Sequence, residues 1–157
     1  MEKNDKYFMA EAIKLSEESV MNSGGPFGAV IVKDGKIIAK SSNSVTSTND
    51  PTAHAEVNAI RLASKNLNSF DLSGCTIYSS CEPCPMCLGA IYWAKIDKLF
   101  YGNTKEDAKN INFDDSFIYD EIDLDKKDRK LPHIQISADK AAKAFRLWDE
   151  SENKTEY

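Results

Sequence analysis

Cys75-Thr76-Ile77-Tyr78-Ser79-Ser80-Cys81-Glu82-Pro83-Cys84-Pro85-Met86-Cys87 joins a strand pattern to a helix start. Cys75 to Ser80, reached through the Ser73-Gly74 turn, reads as a strand, and Pro85 opens a helix that runs to about Ala94. A further strand is expected over Lys98 to Tyr101. A strand, helix, strand run of this length predicts parallel pairing through a right-handed crossover. Cys84 and Cys87, three positions apart, bring their sulfurs to one side of the first helical turn. Proline suits that turn because it has no amide hydrogen to leave unpaired, and the exposed amides and macrodipole favour thiolate over thiol.

Upstream stands His54-Ala55-Glu56. Asp50-Pro51-Thr52 is a turn and cap signal and Ala55 to Leu67 is rich in helix formers, so His54 opens a second helix. Two helix beginnings are thus expected to converge on one cation just past strand ends, where sites in open α/β sheets form. One imidazole and two thiolates, from His54, Cys84 and Cys87, suit zinc; three protein ligands leave a tetrahedral ion one open position, where water loses a proton at a pKa near ~7. Glu56 lies close enough to reach that water without binding metal. It could take the proton, deliver it to a ring nitrogen and then protonate a departing amine, a shuttle typically worth ~10²–10⁴ in rate.

Two alternatives stand beside this reading. Cys84-Pro85-Met86-Cys87 alone also fits a dithiol redox motif. Cys81 could join Cys84, Cys87 and His54 in a closed four-ligand structural site, although Glu82-Pro83 redirects the chain after Cys81 and a closed site leaves Glu56 without a role.

At 157 residues and 41% hydrophobic, the chain suits one domain with a substantial core, residues 1–157. Its net charge of −5 and pI near 5.1 speak against a large nucleic-acid footprint. Met1-Glu2-Lys3-Asn4-Asp5 is charged and no apolar run reaches membrane-spanning length, so neither a signal peptide nor a membrane span is expected and the location is read as cytoplasmic. Cys75 reads as a buried small apolar residue.

Lys6 to Met21 reads as a helix with Phe8, Ala12, Leu15 and Ser19 on one stripe and Met9, Ile13 and Val20 nearby; Gly24-Gly25-Pro26 ends it. Phe27 to Val32 and Ile37 to Ser42 form an expected hairpin around Asp34-Gly35. Asn43 to Asp50 and Asn103 to Asn112 read as loops, Phe113 to Ile122 permits a short helix, and Asp123 to Lys130 is a solvated connector. His133 to Ile136 is expected as a fifth strand, which makes His133 a half-buried strand residue rather than a ligand. Ala138 to Trp148 is expected as a last helix with Ala141, Ala144, Phe145 and Trp148 on its buried side. Tyr92 and Trp93 are core residues on general grounds, with a pocket-lining role left open, Trp93 being the candidate.

In Pro51-Thr52-Ala53-His54-Ala55-Glu56 and Cys81-Glu82-Pro83-Cys84-Pro85-Met86-Cys87 the chain resembles the cytidine deaminase-like superfamily of zinc-dependent deaminases, and within it the bacterial guanine deaminase family. The likeness extends over Gly24 to Val32, Asn49-Asp50-Pro51, Leu88 to Ala94, Phe113-Asp114-Asp115-Ser116-Phe117 and Glu156-Tyr157, nearly the whole chain. The resemblance implies a three-layer α/β/α fold on a five-stranded mixed sheet, one zinc ion per chain, and hydrolysis of guanine to xanthine and ammonia. It also implies site roles: Phe27 stacks on the purine, Asn43 bonds the ring edge, the Ala55 amide binds the base, Asp115 holds the C2 amine and passes it a proton, and Tyr157 closes the pocket. A homodimer exchanging the segment from about 138 to 157 is implied too, so that Tyr157 serves the partner's site. Read from the residues alone, Phe27 could equally be a core strand residue and Tyr157 a frayed end.

A neutral, planar guanine needs an aromatic face, an amide and a carboxylate for the amine hydrogens, and all three residue types are present. The competing activities are deamination of cytosine, of a nucleoside such as guanosine, or of adenosine in transfer RNA, the last requiring a basic rim that the acidic balance disfavours.

Overall fold

Asn4 caps the first helix, α1 (Asp5–Met21), its Oδ1 accepting from the Tyr7 amide at 3.1 Å. The structure is a computed structural model describing residues 4–157; the charged start Met1-Glu2-Lys3 lies outside the described residues. Two compact units divide the chain, Met1–Ser116 and Phe117–Tyr157.

In the first unit α1 is followed by β1 (Gly28–Lys33) and β2 (Lys36–Ser42). Asp34 and Gly35 between them both have positive φ, 49° and 69°, the backbone that a two-residue hairpin compatible with strand twist requires. A single helical turn, α2 (Val45–Thr48), precedes α3 (Ala55–Leu67), then come β3 (Cys75–Cys81), α4 (Pro85–Trp93), β4 (Lys98–Asn103) and α5 (Lys105–Asn110). The sheet order is β2-β1-β3-β4; β1 runs antiparallel to both neighbours and β3 is parallel to β4, as the crossover through α4 demands.

Strand periodicity divides the core into two layers. Val30, Val32 and Tyr78 face α1, where they meet Phe8 and Ala12, and the Tyr78 ring stacks on Phe100 at 5.0 Å. Ala29, Ile31, Cys75 and Ile77 face the other way, against Ala55, Ala59 and Ala63 of α3 and Ile91 of α4. Each fully buried isoleucine contributes ~1.5–3 kcal/mol to this packing. The alanines recur every fourth residue, so α3 presents a stripe of methyl groups to the sheet. Helices on both faces of a mixed sheet make the expected α/β/α layering.

Among the described residues the sheet has four strands, not the expected five. His133-Ile134-Gln135-Ile136 has the right alternation, but alternation yields a strand only where a neighbour accepts the backbone pairing, and among the described residues it pairs with none. His133 is accordingly exposed rather than half-buried, its Nδ1 2.7 Å from the Leu131 carbonyl oxygen. The second unit instead carries most of α6 (Ser116–Asp123), a 3₁₀ turn (Lys126–Asp128) and α7 (Ala138–Glu150). The expected inner side of α7 is solvent-exposed: Ala141, Ala144 and Trp148 are open and Phe145 is 82% exposed.

Two expected loops contain helices. Asn43 to Asp50 includes α2, and Asn103 to Asn112 ends β4 and forms α5, which opens on a capping box: Thr104 Oγ1 accepts from the Asp107 amide at 3.2 Å while Asp107 Oδ2 accepts from the Thr104 amide at 2.8 Å.

α1 lies so close to β1 that a Cβ on Gly28 would collide with the Ala12 carbonyl oxygen and come 2.7 Å from the Ser16 nitrogen. Gly28→Ala is therefore expected to destabilise the chain by about 1–3 kcal/mol, the usual effect of overpacking, as read by a lowered denaturation midpoint. An unchanged midpoint would mean that this helix–strand approach is not constrained.

Candidate metal centre and active site

His54 and Cys84 occupy equivalent places, each the N-cap residue of a helix, α3 and α4, and neither side chain makes a capping hydrogen bond. Both are thereby left to point outward from a helix start. Pro85 sets the first position of α4, and Cys87 at the third turns its sulfur back beside that of Cys84. His54 Nδ1 lies 3.5 Å from Cys84 Sγ and 3.5 Å from Cys87 Sγ, and the three donor atoms all fall within 4.8 Å of one another.

Bond lengths of ~2.3 Å to sulfur and ~2.0–2.1 Å to nitrogen at a tetrahedral angle put N and S about 3.6 Å apart, so this donor set fits a zinc ion. The electrostatics agree. A hydrogen bond from Cys87, aided by His54, holds the Cys84 thiol well below its usual range, while Cys87, as the donor, is pushed up. The imidazole is raised in turn, chiefly by its bond with Cys84. A divalent cation among these donors would take the place of the proton that the two thiols share.

Cys81 stands apart. It is buried, its Sγ donates to the Thr104 carbonyl at 3.7 Å, and burial raises its thiol to about 11. It is not one of the convergent donors, which disposes of the closed four-ligand alternative.

The cluster opens into a cavity of about 570 Å³ whose lining runs from Ser23 to Asp115, all within the first unit. Glu56 reaches it from the first turn of α3; only 5% exposed, its carboxyl is raised by burial, and Oε1 accepts from Ser79 Oγ at 2.8 Å. Phe27, just before β1, lines the wall and meets Phe113 edge-on, centroids 5.0 Å apart. Asn43 lines it too, with Oδ1 accepting from the Val45 amide at 3.1 Å. Asp115 is half-buried, its carboxyl raised first by burial and then by the Cys84 charge.

Of the residues singled out from sequence, His54, Glu56, Cys84, Phe27, Asn43 and Asp115 share this cavity, with Cys87 buried behind it. Ala55 is wholly buried behind the wall; as the first residue of α3 its amide has no intrahelical acceptor. Trp93 is not brought to the cavity: it ends α4 at 69% exposed, beside Tyr92 at 76%, so neither takes the expected core role. Tyr157, 73% exposed, belongs to the second unit. Sequence reasoning overlooked Ser79, although counting back two positions from Cys81 along β3 puts it on the cavity side of the sheet.

Residues 2–103 match the family described as the cytidine and deoxycytidylate deaminase zinc-binding region. The guanine deaminase of Bacillus subtilis strain 168 is 52% identical over 155 residues, 98% of this chain and 99% of its own. An X-ray structure of guanine deaminase from Bacillus subtilis superposes with a TM-score of 0.96 at 51% identity, covering 99% of both chains. The tRNA-specific adenosine deaminase of Aquifex aeolicus is 42% identical over 96 residues, only 61% of this chain and 64% of its own. Matches that run through the histidine and cysteine motifs, one of them end to end, mean that the chain belongs to the cytidine and deoxycytidylate deaminase family.

Proposed function

We propose that this chain catalyses the zinc-dependent hydrolysis of guanine to xanthine and ammonia. The observation that carries the reading is the buried Glu56 carboxylate sharing one cavity with the three-donor cluster and with Asp115. Likeness to a guanine deaminase over 98% of the chain supports the choice of base.

When bound by His54, Cys84 and Cys87, zinc supplies Lewis acidity that makes water nucleophilic near neutral pH. The rest is done by the chain. Phe27 offers its ring to one face of the purine, the Asn43 NH₂ donates to the ring edge, and the Ala55 amide binds the base. Glu56 accepts the proton released as water attacks C2 and hands it to the adjacent ring nitrogen; its burial raises its proton affinity, which suits a carrier. Asp115 accepts from the C2 amine and passes it a proton as the C2–N bond breaks and ammonia leaves, and it is replenished by the second water proton, which the C2 hydroxyl gives up through Glu56 as the carbonyl of xanthine forms. One water is consumed and one ammonia released, so the shuttle ends in its starting protonation state.

Charge narrows the substrate class. Glu56, Glu82, Asp114 and Asp115 line the cavity, against Lys105 and His54. A neutral base is accepted there more readily than a phosphate chain, and the whole chain is acidic. Purified protein incubated with guanine, adenine, cytosine, guanosine and a transfer RNA is expected to release ammonia fastest from guanine, and a faster rate on any other member of that panel would sink the assignment. Glu56→Gln should keep about one zinc per chain while turnover falls by ~10²–10⁴. Zinc loss in that variant, or undiminished turnover, would show that Glu56 has a different role.

The assembly belongs to the same proposal. Phe145, Leu147 and Trp148 of α7, with Ile134 and Ile136 before it, expose apolar side chains beyond what an isolated small unit ordinarily leaves in water. We read residues from about 138 to 157 as exchanged with a second copy of the chain, which would bring Tyr157 over the partner's cavity and make 1–157 a single functional domain. Sedimentation at micromolar concentration is expected to give twice the chain mass of 17.5 kDa, and a monomer would refute the exchange.

A further inference from the structure

Successive side chains of β3 alternate between the two faces of the sheet: Tyr78 enters the layer against α1, while Cys75 and Ile77 enter the layer against α3. Ser79 follows the second set and meets the first turn of α3. It is 2% exposed, and its Oγ donates to Glu56 Oε1 at 2.8 Å. The backbone beneath it is held on both sides, opposite Ala29 of β1 and Tyr101 of β4.

We propose that Ser79 is a positioning residue for the proton carrier, tethering Oε1 of Glu56 so that Oε2 is the oxygen that exchanges protons in the cavity. The proposal rests on the reading of Glu56 as that carrier. A glutamate side chain has several rotatable bonds, and a proton relay works only when the accepting atom is within hydrogen-bond reach of both donor and recipient. The Ser79 hydroxyl, acting with hydrogen bonds from the Glu56 backbone amide and Cys87, restricts that rotational freedom.

The tether also suits both states of the carrier. With Glu56 ionised, Ser79 makes a charge-assisted hydrogen bond. Once the proton arrives on Oε2, Oε1 becomes the carbonyl oxygen of the acid and still accepts from Ser79. No hydrogen bond has to break as the proton passes through, so the carboxyl need not reorient in mid-reaction. A carboxylate held by an exposed lysine would lack that property, because neutralisation would remove most of the attraction.

Three variants test this. Thr retains a hydroxyl at position 79, Val has nearly the same shape without it, and Ala removes both. Ser79→Thr is expected to keep kcat for guanine close to that of the unmodified protein. Ser79→Val and Ser79→Ala are expected to lose about 10- to 100-fold in kcat, the usual size for a residue supporting a metal site's reacting group, with KM nearly unchanged and zinc content retained. Crystal structures of the zinc-loaded unmodified and Ser79→Val proteins should show the Glu56 carboxylate turned in the variant. The proposal is overturned if Val matches Thr in kcat, if the loss falls on KM or zinc content instead, or if the carboxylate is unmoved in the Val structure. The structural comparison needs no turnover. Failure of the unmodified protein to deaminate guanine would therefore count against the substrate assignment, while the orientation of Glu56 would still decide the role of Ser79.

Discussion

The convergence of two helix beginnings on one point is the constraint around which the molecule is built. N-cap positions are ordinarily filled by Ser, Thr, Asn or Asp, whose side chains satisfy the first amides at ~0.5–2 kcal/mol each. Here His54 and Cys84 take those places and make no such bond, so both helices forgo a usual source of stability to aim metal donors outward. What holds the starts in place is the sheet: β3 leads directly into the cysteine turn, and β2 and β1 provide the surface on which α3 packs. The 3.5 Å separations between imidazole nitrogen and sulfurs are set by this framework. A catalytic ion then meets donors already arranged for it, with a carboxylate beside them.

The extent of burial distinguishes Glu56 from Asp115, two of the four carboxylates that line the cavity. Glu56, in the first turn of α3 and bound to Ser79, is buried, whereas Asp115 sits half-buried at the wall; burial is the first cause that raises each, and the Cys84 charge adds to both. Distinct surroundings for two acids of the same chemical type are what a reaction needs when one proton goes to a ring nitrogen and another to a leaving amine. Asn43 illustrates a related economy: its carbonyl helps turn the chain into α2 while the same side chain lines the cavity.

Much of this was legible in the sequence because the signals were local. A positive-φ pair at Asp34-Gly35, proline at the first position of α4, and three donors in two short motifs each identify a feature without knowledge of distant residues. The first three strands, β4 but for its end, and helices α1, α3 and α4 fall where their periodicity predicts. What escaped depends on other parts of the chain or on weaker signals. His133 to Ile136 alternates like a strand but finds no neighbour to pair with among the described residues, and α7 has an apolar side without a surface to cover it. α5 was hidden in a polar stretch, though Thr104 and Asp107 spell a capping box. Trp93 and Tyr92 were placed inside on hydrophobicity alone, and hydrophobicity cannot say which side of a short helix faces out.

The methyl stripe of α3 has a consequence for how such a chain can change over generations. Ala55, Ala59 and Ala63 are wholly buried, so any larger side chain at these positions would lift the helix off the sheet and displace His54 and Glu56 with it. Mutational drift in this helix is thereby channelled to its solvent side, where Arg61 and Lys65 can be exchanged with little effect, while the inner side is closed even to conservative hydrophobic replacement. Reaction chemistry and packing are inherited together along one edge of a single helix, and selection on either preserves both.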